Sequence, residues 1–345
     1  MTASSHHSPT GDGSLQTDQC NRHRPLWSFV IPCLNEEAFL RVTLRSIHDF
    51  VPQQIPYEII LADHGSVDAS TVIAIEEKAR VIVQPAVSLG TLRNLGAAAA
   101  RGDVLFFLDA DISLSEEWTS NIIGAVEKLS TATPVLSGSM ALPSPDSGWV
   151  GRIWETHRPS SGIVKTLSGG HMLILKRHFD AVDGFPAEAD SGEDEGLSRR
   201  IWAAGGKVLA DPGLRVVHRG ASSSVREFFF RHFWHGLGDA KSWSRLRGSR
   251  TALAGLAFLL IHVLAGTAIV SGALTVAVGL VAVSVTLPLA LSIRRLGGFR
   301  ADAGFPLLAL YWLYLWARGL AVILAPLGLA RRERRVTDGV PYRSA

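Results

Sequence analysis

The sequence predicts an α/β domain built on a mainly parallel central sheet, followed by C-terminal transmembrane helices. Three observations predict it. From Trp27 to about Arg219, short apolar runs alternate with segments of helical period, the pattern of βαβ units. The polar and acidic residues of this region gather just after the apolar runs, where open parallel sheets bind ligands. The apolar excess lies after about residue 250, in stretches long enough to cross a bilayer.

The chain has 345 residues, 47% of them hydrophobic, enough for one large domain or two smaller ones. A net charge of +3 with a pI near 9.0 reflects basic clusters rather than an even coating. It lacks the concentrated basic face of a nucleic-acid binder, so no nucleic acid is expected. The two cysteines are Cys20, in a polar stretch, and Cys33, at a strand end. No structural disulfide is expected, which fits a reducing compartment. Residues 1–24 are polar and aperiodic and are expected to be a disordered tail. They lack a signal peptide's apolar core, so the amino end is expected to stay unexported. His6, His7 and His23 read as part of that tail rather than as a metal site.

The elements follow in order. "WSFVIP" is a short apolar strand, and "EEAFLRVTLRSIHDFV" puts Phe39, Leu40, Leu44 and Ile47 on one helical face. "YEIILAD" is a second strand, "DASTVIAIEEKA" a helix and "RVIVQP" a third strand. "TLRNLGAAAAR" is an Ala-rich helix and "DVLFFLDAD" a fourth strand. Pro32 to Asn35, Asp63 to Ser66 and Asp109 to Asp111 all fall at strand carboxyl ends.

After residue 250, 252–271 and 272–292 are each apolar apart from His262, with a short uncharged join that predicts a helical hairpin. The third stretch, 305–329, carries Arg318 near its middle, prolines near both ends and a Trp312/Tyr314/Trp316 cluster. It either spans with Arg318 facing its neighbours, or lies in the interface or re-enters. Lys241, Arg245, Arg247 and Arg250 precede the hairpin, and Arg294, Arg295 and Arg300 follow it, so both flanks are expected on the cytoplasmic side. The tail "RRERR" at 331–335 is also basic. Before the hairpin, Arg226 to Ala240 interleaves Arg226, Arg231, His232 and His235 with Phe228, Phe229, Phe230, Phe233 and Trp234. This suits a helix at the membrane interface, a site for a lipid phosphate or diphosphate, or ordinary packing under the domain.

Asp109 and Asp111 are acids two apart at the end of an apolar strand, where both can face a cleft. Mg²⁺ or Mn²⁺ takes one or two carboxylates and leaves its other positions to water and phosphates. The competing reading is helix capping by Asp111 or Ser115.

With these motifs in order, the run 27–220 resembles the family 2 glycosyltransferases with their nucleotide-sugar-binding GT-A fold. The motifs are "FVIPCLNEE", "ADHGSVDAS", "GTLRNLG", "LFFLDAD", "SGGHMLILKRHFDAVDGF" and "GEDEGLSRRIWAAGGKV". The resemblance implies that Pro32, Asn35 and Glu36 form a nucleotide-facing loop and that Asp63 binds the base. It implies that Arg93 lies against the base or diphosphate, that Asp109 contacts ribose or metal, and that Asp111 binds the metal. It makes Asp194 or its neighbour Glu193 the general base of an inverting displacement. Gly169 and Gly170 read as a close backbone approach to sugar or acceptor, or as a tight turn. His218 is either a metal ligand or a structural histidine. Trp149, Trp154 and Trp202 either stack on a sugar or pack in the core. His64 stands where the family usually has a second acid, and the Q-x-x-R-W signature of processive synthases is absent, which points to addition of one sugar.

The expected protein is a multi-pass inner-membrane glycosyltransferase with a cytoplasmic catalytic domain. It takes a nucleotide sugar, most readily UDP-linked, and a lipid-linked acceptor such as a polyprenyl phosphate or glycolipid. The expected boundaries are 1–24 tail, 25–222 catalytic domain, 223–250 interfacial helical region, 251–330 membrane domain and 331–345 basic cytoplasmic tail. The rival readings are a nucleotidyltransferase, against which "PCLNEE" lacks a Gly-rich basic loop, and an inactive membrane scaffold, against which the acids are present.

Overall fold

The computed structural model describes residues 25–129, 131–155, 161–187, 192–240, 243–298 and 301–327. The expectations for the tails 1–24 and 331–345, for Lys241 and Arg300, and for the Arg245 side chain lie outside the described residues.

The first half alternates as its periodicity requires. Strand β1 (Trp27–Cys33) leads to helix α1 (Leu40–Phe50), then β2 (Tyr57–Asp63), α2 (Ser70–Glu76), β3 (Arg80–Val83), α3 (Leu89–Ala99) and β4 (Val104–Leu108). After β4 come β5 (Ile112–Ser113), α4 (Glu116–Glu127), β6 (Val135–Gly138), β7 (Leu142–Pro143), α5 (Trp149–Glu155) and β8 (Gly162–Ile163). The domain closes with β9 (His171–Leu175), α6 (Lys176–Ala181), α7 (Glu193–Ala203), β10 (Lys207–Ala210) and β11 (Val217–His218).

Eight strands form one sheet in the order β3-β2-β1-β4-β9-β6-β10-β8. The run from β3 to β4 is parallel, as is the β6–β10 pair. β9 enters antiparallel between β4 and β6, and β8 is an antiparallel edge. The parallel run is the half that carries the first three acidic loops, so β1, β2 and β4 deliver them to one edge. Pro32 lies inside β1, not in the loop after it. It pairs with Ala62, but the β1–β4 ladder has already ended at Val30, so its missing N–H costs no bond on that side.

Helices cover both faces, which is why "VLFFL" has no polar alternation. Trp27, Phe29, Ile31, Phe106 and Leu108 face α1 and α4, meeting Leu40, Leu44, Trp118 and Ile122. The alternate residues Val30, Leu105 and Phe107 face α3, α6 and α7, meeting Ala97, Phe179, Leu197 and Ile201. A second sheet, β5-β11-β7, pairs His218 with Ile112 across an antiparallel ladder. That register sets His218 beside Asp111.

Helix α8 (Val225–Asp239) and a short α9 (Trp243–Gly248) lead to α10 (Arg250–Val270), α11 (Leu274–Leu296) and α12 (Ala301–Leu324), which ends in a 3₁₀ turn at Ala325–Leu327. The last three helices have 21, 23 and 24 residues, about 31–36 Å at 1.5 Å per residue. Each is long and apolar enough to cross a membrane. α10 and α11 are the expected hairpin, joined at 271–273. α12 is continuous, and its middle packs against the α/β domain: Tyr311 and Tyr314 meet Trp154 of α5 at ring separations of 5.0 and 5.4 Å. Arg318 forms an ion pair with Asp239, at the end of α8, at 2.8 Å. Its charge is matched inside the protein, as an arginine in an apolar helix requires.

Candidate active site

The loop after β1 is shaped by Asn35, whose φ of 57° is left-handed, a region that Asn tolerates better than most residues. Its N–H donates to Ser66 Oγ, and its Oδ1 accepts from Val67 N, both at 2.9 Å. The loop after β2 is organised from beneath by Asp63, which is fully buried. Asp63 accepts from the N–H groups of Gly65 and Ser66 and from the Ser66 hydroxyl. Its carboxylate is thus occupied in shaping the turn. His64 Nε2 lies 2.8 Å from Val87 O and ties this loop to the start of α3.

β4 ends at Leu108, so Asp109 and Asp111 lie on the turn between β4 and β5. They are not aimed by strand alternation. The α4 cap falls to Ser115, whose side chain accepts from Trp118 N, which leaves Asp111 free for other work. The two acids go to different cations. Asp109 Oδ1 accepts from Arg93 Nη2 at 2.6 Å. Asp111 Oδ2 lies 2.9 Å from His218 Nε2.

Arg93 is 2% exposed and stands between Asp109 and Glu193, with a further bond to Gly169 O at 3.3 Å. Its guanidinium is committed to the protein's own carboxylates. Burial works against its charge, but Asp109 and then Glu193 outweigh it and raise its pKa. A Cβ at Gly169 would lie 3.0 Å from both Arg93 Nη atoms, and one at Gly170 would strike Ile112. In this structure, therefore, the two glycines make room for Arg93 and for the Asp109 turn.

His218 is held at both ring nitrogens. Nδ1 lies 2.6 Å from Glu155 Oε1, opposite the contact of Nε2 with Asp111. Burial opposes its charge, but the bonds to Asp111 and Glu155 push its pKa up to about 10. Glu155 carries no motif and was not among the expected site residues. Its position at the end of a seven-residue helix, 63 residues from His218, left no local signal.

Glu36 completes the acidic group. Burial, then the nearby charges of Asp111 and Asp109, push its carboxyl up to about 8, with Arg231 pulling the other way. Arg231 reaches in from α8 and donates to Gly220 O at 2.6 Å. A Cβ at Gly220 would collide with the Asp111 carboxylate.

Glu193 and Asp194 open α7, after Gly192 at φ 77°. Glu193 is buried against Arg93, and burial raises its pKa despite that partner. Asp194 Oδ2 accepts from Gly169 N at 2.9 Å, and Oδ1 from Glu195 N at 2.8 Å. With Met140, Thr166, Leu167, Ser168 and Ala210, Asp194 lines a cleft of about 390 Å³. Of the three tryptophans, Trp154 lies in the junction with the membrane helices, while Trp149 and Trp202 are 48% and 39% exposed.

Among the described residues no three His, Cys, Asp or Glu side chains enclose a metal by themselves. Asp111 and His218 nevertheless fit a divalent ion that takes its remaining ligands elsewhere. Two donors about 2.1 Å from an ion and at right angles lie about 3 Å apart, and these two are 2.9 Å apart.

An α/β sheet whose parallel half brings acidic loops to its carboxyl edge, with an antiparallel strand set into its centre, is the GT-A arrangement. Residues 28–162 match the model for Glycosyl transferase family 2. The chain is 27% identical over 230 residues to polypeptide N-acetylgalactosaminyltransferase 11 of Xenopus tropicalis, covering 56% of this chain and 38% of that protein. It is 38% identical over 110 residues to the undecaprenyl-phosphate 4-deoxy-4-formamido-L-arabinose transferase of Pseudomonas fluorescens (strain Pf0-1), covering 29% and 32%. The chain thus spans about a third of the length of these curated relatives. The mannosyltransferase PcManGT from Pyrobaculum calidifontis, solved with GDP-Man and Mn²⁺, aligns with a TM-score of 0.49 at 16% identity, over 89% of this chain and 87% of that one.

Proposed function

We propose that the protein is a membrane-anchored glycosyltransferase that moves one sugar from a nucleotide-sugar donor to a lipid-linked acceptor. The observation that carries this is the convergence of Glu36, Asp109, Asp111 and His218 at the carboxyl edge of the parallel strands, in a family 2 domain. Asp111 and His218 would hold a divalent ion, which neutralises charge on the departing diphosphate when bound. An imidazole in the donor set favours Mn²⁺ over Mg²⁺. Arg231 adds a fixed positive charge on the same side. Asn35 and the Asp63 turn form the wall for the nucleotide, with a UDP-linked sugar as the expected donor.

Asp194 is the general base. It faces an open cleft, whereas Glu193 is tied to Arg93. It takes the proton of the acceptor hydroxyl as that oxygen attacks the anomeric carbon. The bond to the nucleotide diphosphate breaks, and the configuration inverts. The acceptor lies in the membrane because α10 and α11 tether the site there, and the relative named as an undecaprenyl-phosphate transferase supports a lipid carrier. Arg247 before α10, Arg250 at its first position and Arg294 in the last turn of α11 support an inner-membrane protein whose catalytic domain, 25–222, is cytoplasmic. The exposed Phe230, Trp234 and Trp243 around α8 and α9 support 223–250 as an interfacial region.

The test is calorimetric binding of UDP, GDP and CDP to detergent-solubilised protein with Mn²⁺ and then with EDTA, followed by transfer of labelled sugar into membrane lipid. Metal-dependent binding of one nucleotide is expected, with label in the lipid fraction. Asp194→Asn should keep donor binding and lose transfer by about 10²-fold or more. Failure of every nucleotide to bind would sink the proposal. Full transfer by Asp194→Asn would remove the base and point to an acceptor that is already anionic, such as a lipid phosphate.

A further inference from the structure

Helix α5 (Trp149–Glu155) touches the candidate metal site and the membrane helices with adjacent residues. Glu155 Oε1 lies 2.6 Å from His218 Nδ1. The second oxygen, Oε2, is buried without a partner, so burial of this carboxylate is compensated through His218. A histidine binds a metal through one nitrogen while the other is fixed by an acceptor, which sets the tautomer and the ring plane. With Glu155 on Nδ1, the nitrogen left for a ligand is Nε2, the one that faces Asp111.

The residue before it, Trp154, holds α5 in place from the other side. Arg295 of α11 stacks on the Trp154 ring at 4.6 Å and donates to Trp154 O. Arg295 also donates to the Tyr311 hydroxyl at 3.3 Å. Phe228 and His232 of α8 close the ring from α8 at 4.7 and 5.0 Å. The carboxylate that orients His218 is thus one peptide bond from a residue clamped by helices α8, α11 and α12.

We propose that Glu155 is the positioning residue of the metal site and that its placement is set by the membrane helices through Trp154. Glu155 touches neither metal nor substrate; it acts through His218. This rests on the metal reading of Asp111 and His218. Detaching α11 from α5 lets Glu155 drift and loosens metal binding without altering either ligand.

The experiment is Mn²⁺ titration of the full-length solubilised chain, read as loss of the free-ion paramagnetic resonance signal, so no turnover is needed. His218→Ala sets the baseline for a lost ligand. Glu155→Ala should weaken Mn²⁺ about 10–100-fold. Glu155→Gln, which still offers an oxygen to Nδ1–H, should recover most of that loss. Arg295→Ala should weaken Mn²⁺ severalfold with both ligands intact. Intrinsic tryptophan fluorescence confirms that each variant is folded; if the Ala variant is not, Glu155→Asp, which shortens the side chain by one methylene and draws it back from Nδ1, takes its place with the same expected loss. Wild-type affinity in Glu155→Ala, or no recovery in Glu155→Gln, overturns the positioning role while the metal site stands. Wild-type affinity in Arg295→Ala overturns the link to the membrane helices. Wild-type affinity in His218→Ala removes the ligand itself and, with it, both this inference and the metal reading.

Discussion

Arg93 and His218 are the same device built twice. Each is a cation between two carboxylates: Arg93 between Asp109 and Glu193, His218 between Asp111 and Glu155. Arg93 is 2% exposed, while His218 and Asp111 each keep 20% of their side-chain surface open. A guanidinium stays charged at every accessible pH and offers only donors. An imidazole can give up one proton and become a ligand. The first arrangement is therefore a staple joining α3, the β4–β5 turn and α7. The second can open at Nε2 toward an ion. Burial and side-chain chemistry, rather than charge count, separate structure from function here.

Removing the staple should have the largest effect. Arg93→Ala leaves Asp109 and buried Glu193 without their shared partner, and should cost about 3–5 kcal/mol. Thermal unfolding of the solubilised protein reads this; a shift of under a degree would mean that the pair is not a staple. His218→Ala should reverse the pattern. Its Mn²⁺-dependent nucleotide binding should drop by about 100-fold or more, as for loss of one of two protein ligands, with a smaller stability cost of about 1–3 kcal/mol, because Asp111 reaches solvent while the largely buried Glu155 carboxylate loses its partner. Calorimetry and thermal unfolding on one sample distinguish the two, and equal losses in both variants would break the contrast. Arg93→Lys keeps the charge but loses the two-pronged geometry, so it should fall between wild type and Arg93→Ala on the same unfolding assay.

A third side chain sharpens the contrast through pH. His171 has no carboxylate beside it. It accepts from Trp118 Nε1 at 3.0 Å, and its Nδ1 meets Ser139 Oγ. Burial alone pushes it down to about 3, whereas its counterpart His218 goes up to about 10. The sign follows directly. Between about pH 6.5 and 3 the unfolded chain binds a proton at His171 that the folded chain refuses. Its contribution is full above pH 6.5 and lost as pH falls. Because His218 and Glu36 act with the opposite sign in the same window, the contribution is read as a difference: as pH falls from 7.5 to 5.5 the denaturant midpoint of His171→Gln should rise relative to that of wild type. A smaller effect is expected at the cap that frees Asp111: Ser115→Ala should cost about 1 kcal/mol and leave nucleotide binding unchanged. A loss of binding there would mean that the α4 cap and the Asp111 turn are one unit.

Much of the catalytic domain was legible from local chemistry. The alternation from Trp27 to Leu108 placed the first four strands, because residues buried on both faces read as continuous apolar runs. The acids were legible as a group because parallel strands end at one edge. Asp109 and Asp111 were legible only in part. Side-chain alternation suggested one shared cleft, but the strand stops at Leu108 and the turn sends the two acids to different cations. Glu193 and Asp194 were legible as neighbours but not as a divided pair; only the approach of α3 buries one and leaves the other in a cleft. Glu155 was invisible, since a lone acid at a helix end has no periodicity or spacing to mark it.

By itself the sequence determined the alternating α/β order, the placement of acids after the strands, the family motifs and three helices apolar enough for a membrane. These rest on local pattern, which survives without knowledge of neighbours. Tertiary structure alone decided the antiparallel entry of β9, the partners of Arg93 and His218, the pairing of Arg318 with Asp239, and the clamp of Arg295 on Trp154. Each joins residues far apart in the chain. Such contacts depend on which faces remain to be buried after the sheet has formed, and no window of sequence contains that information.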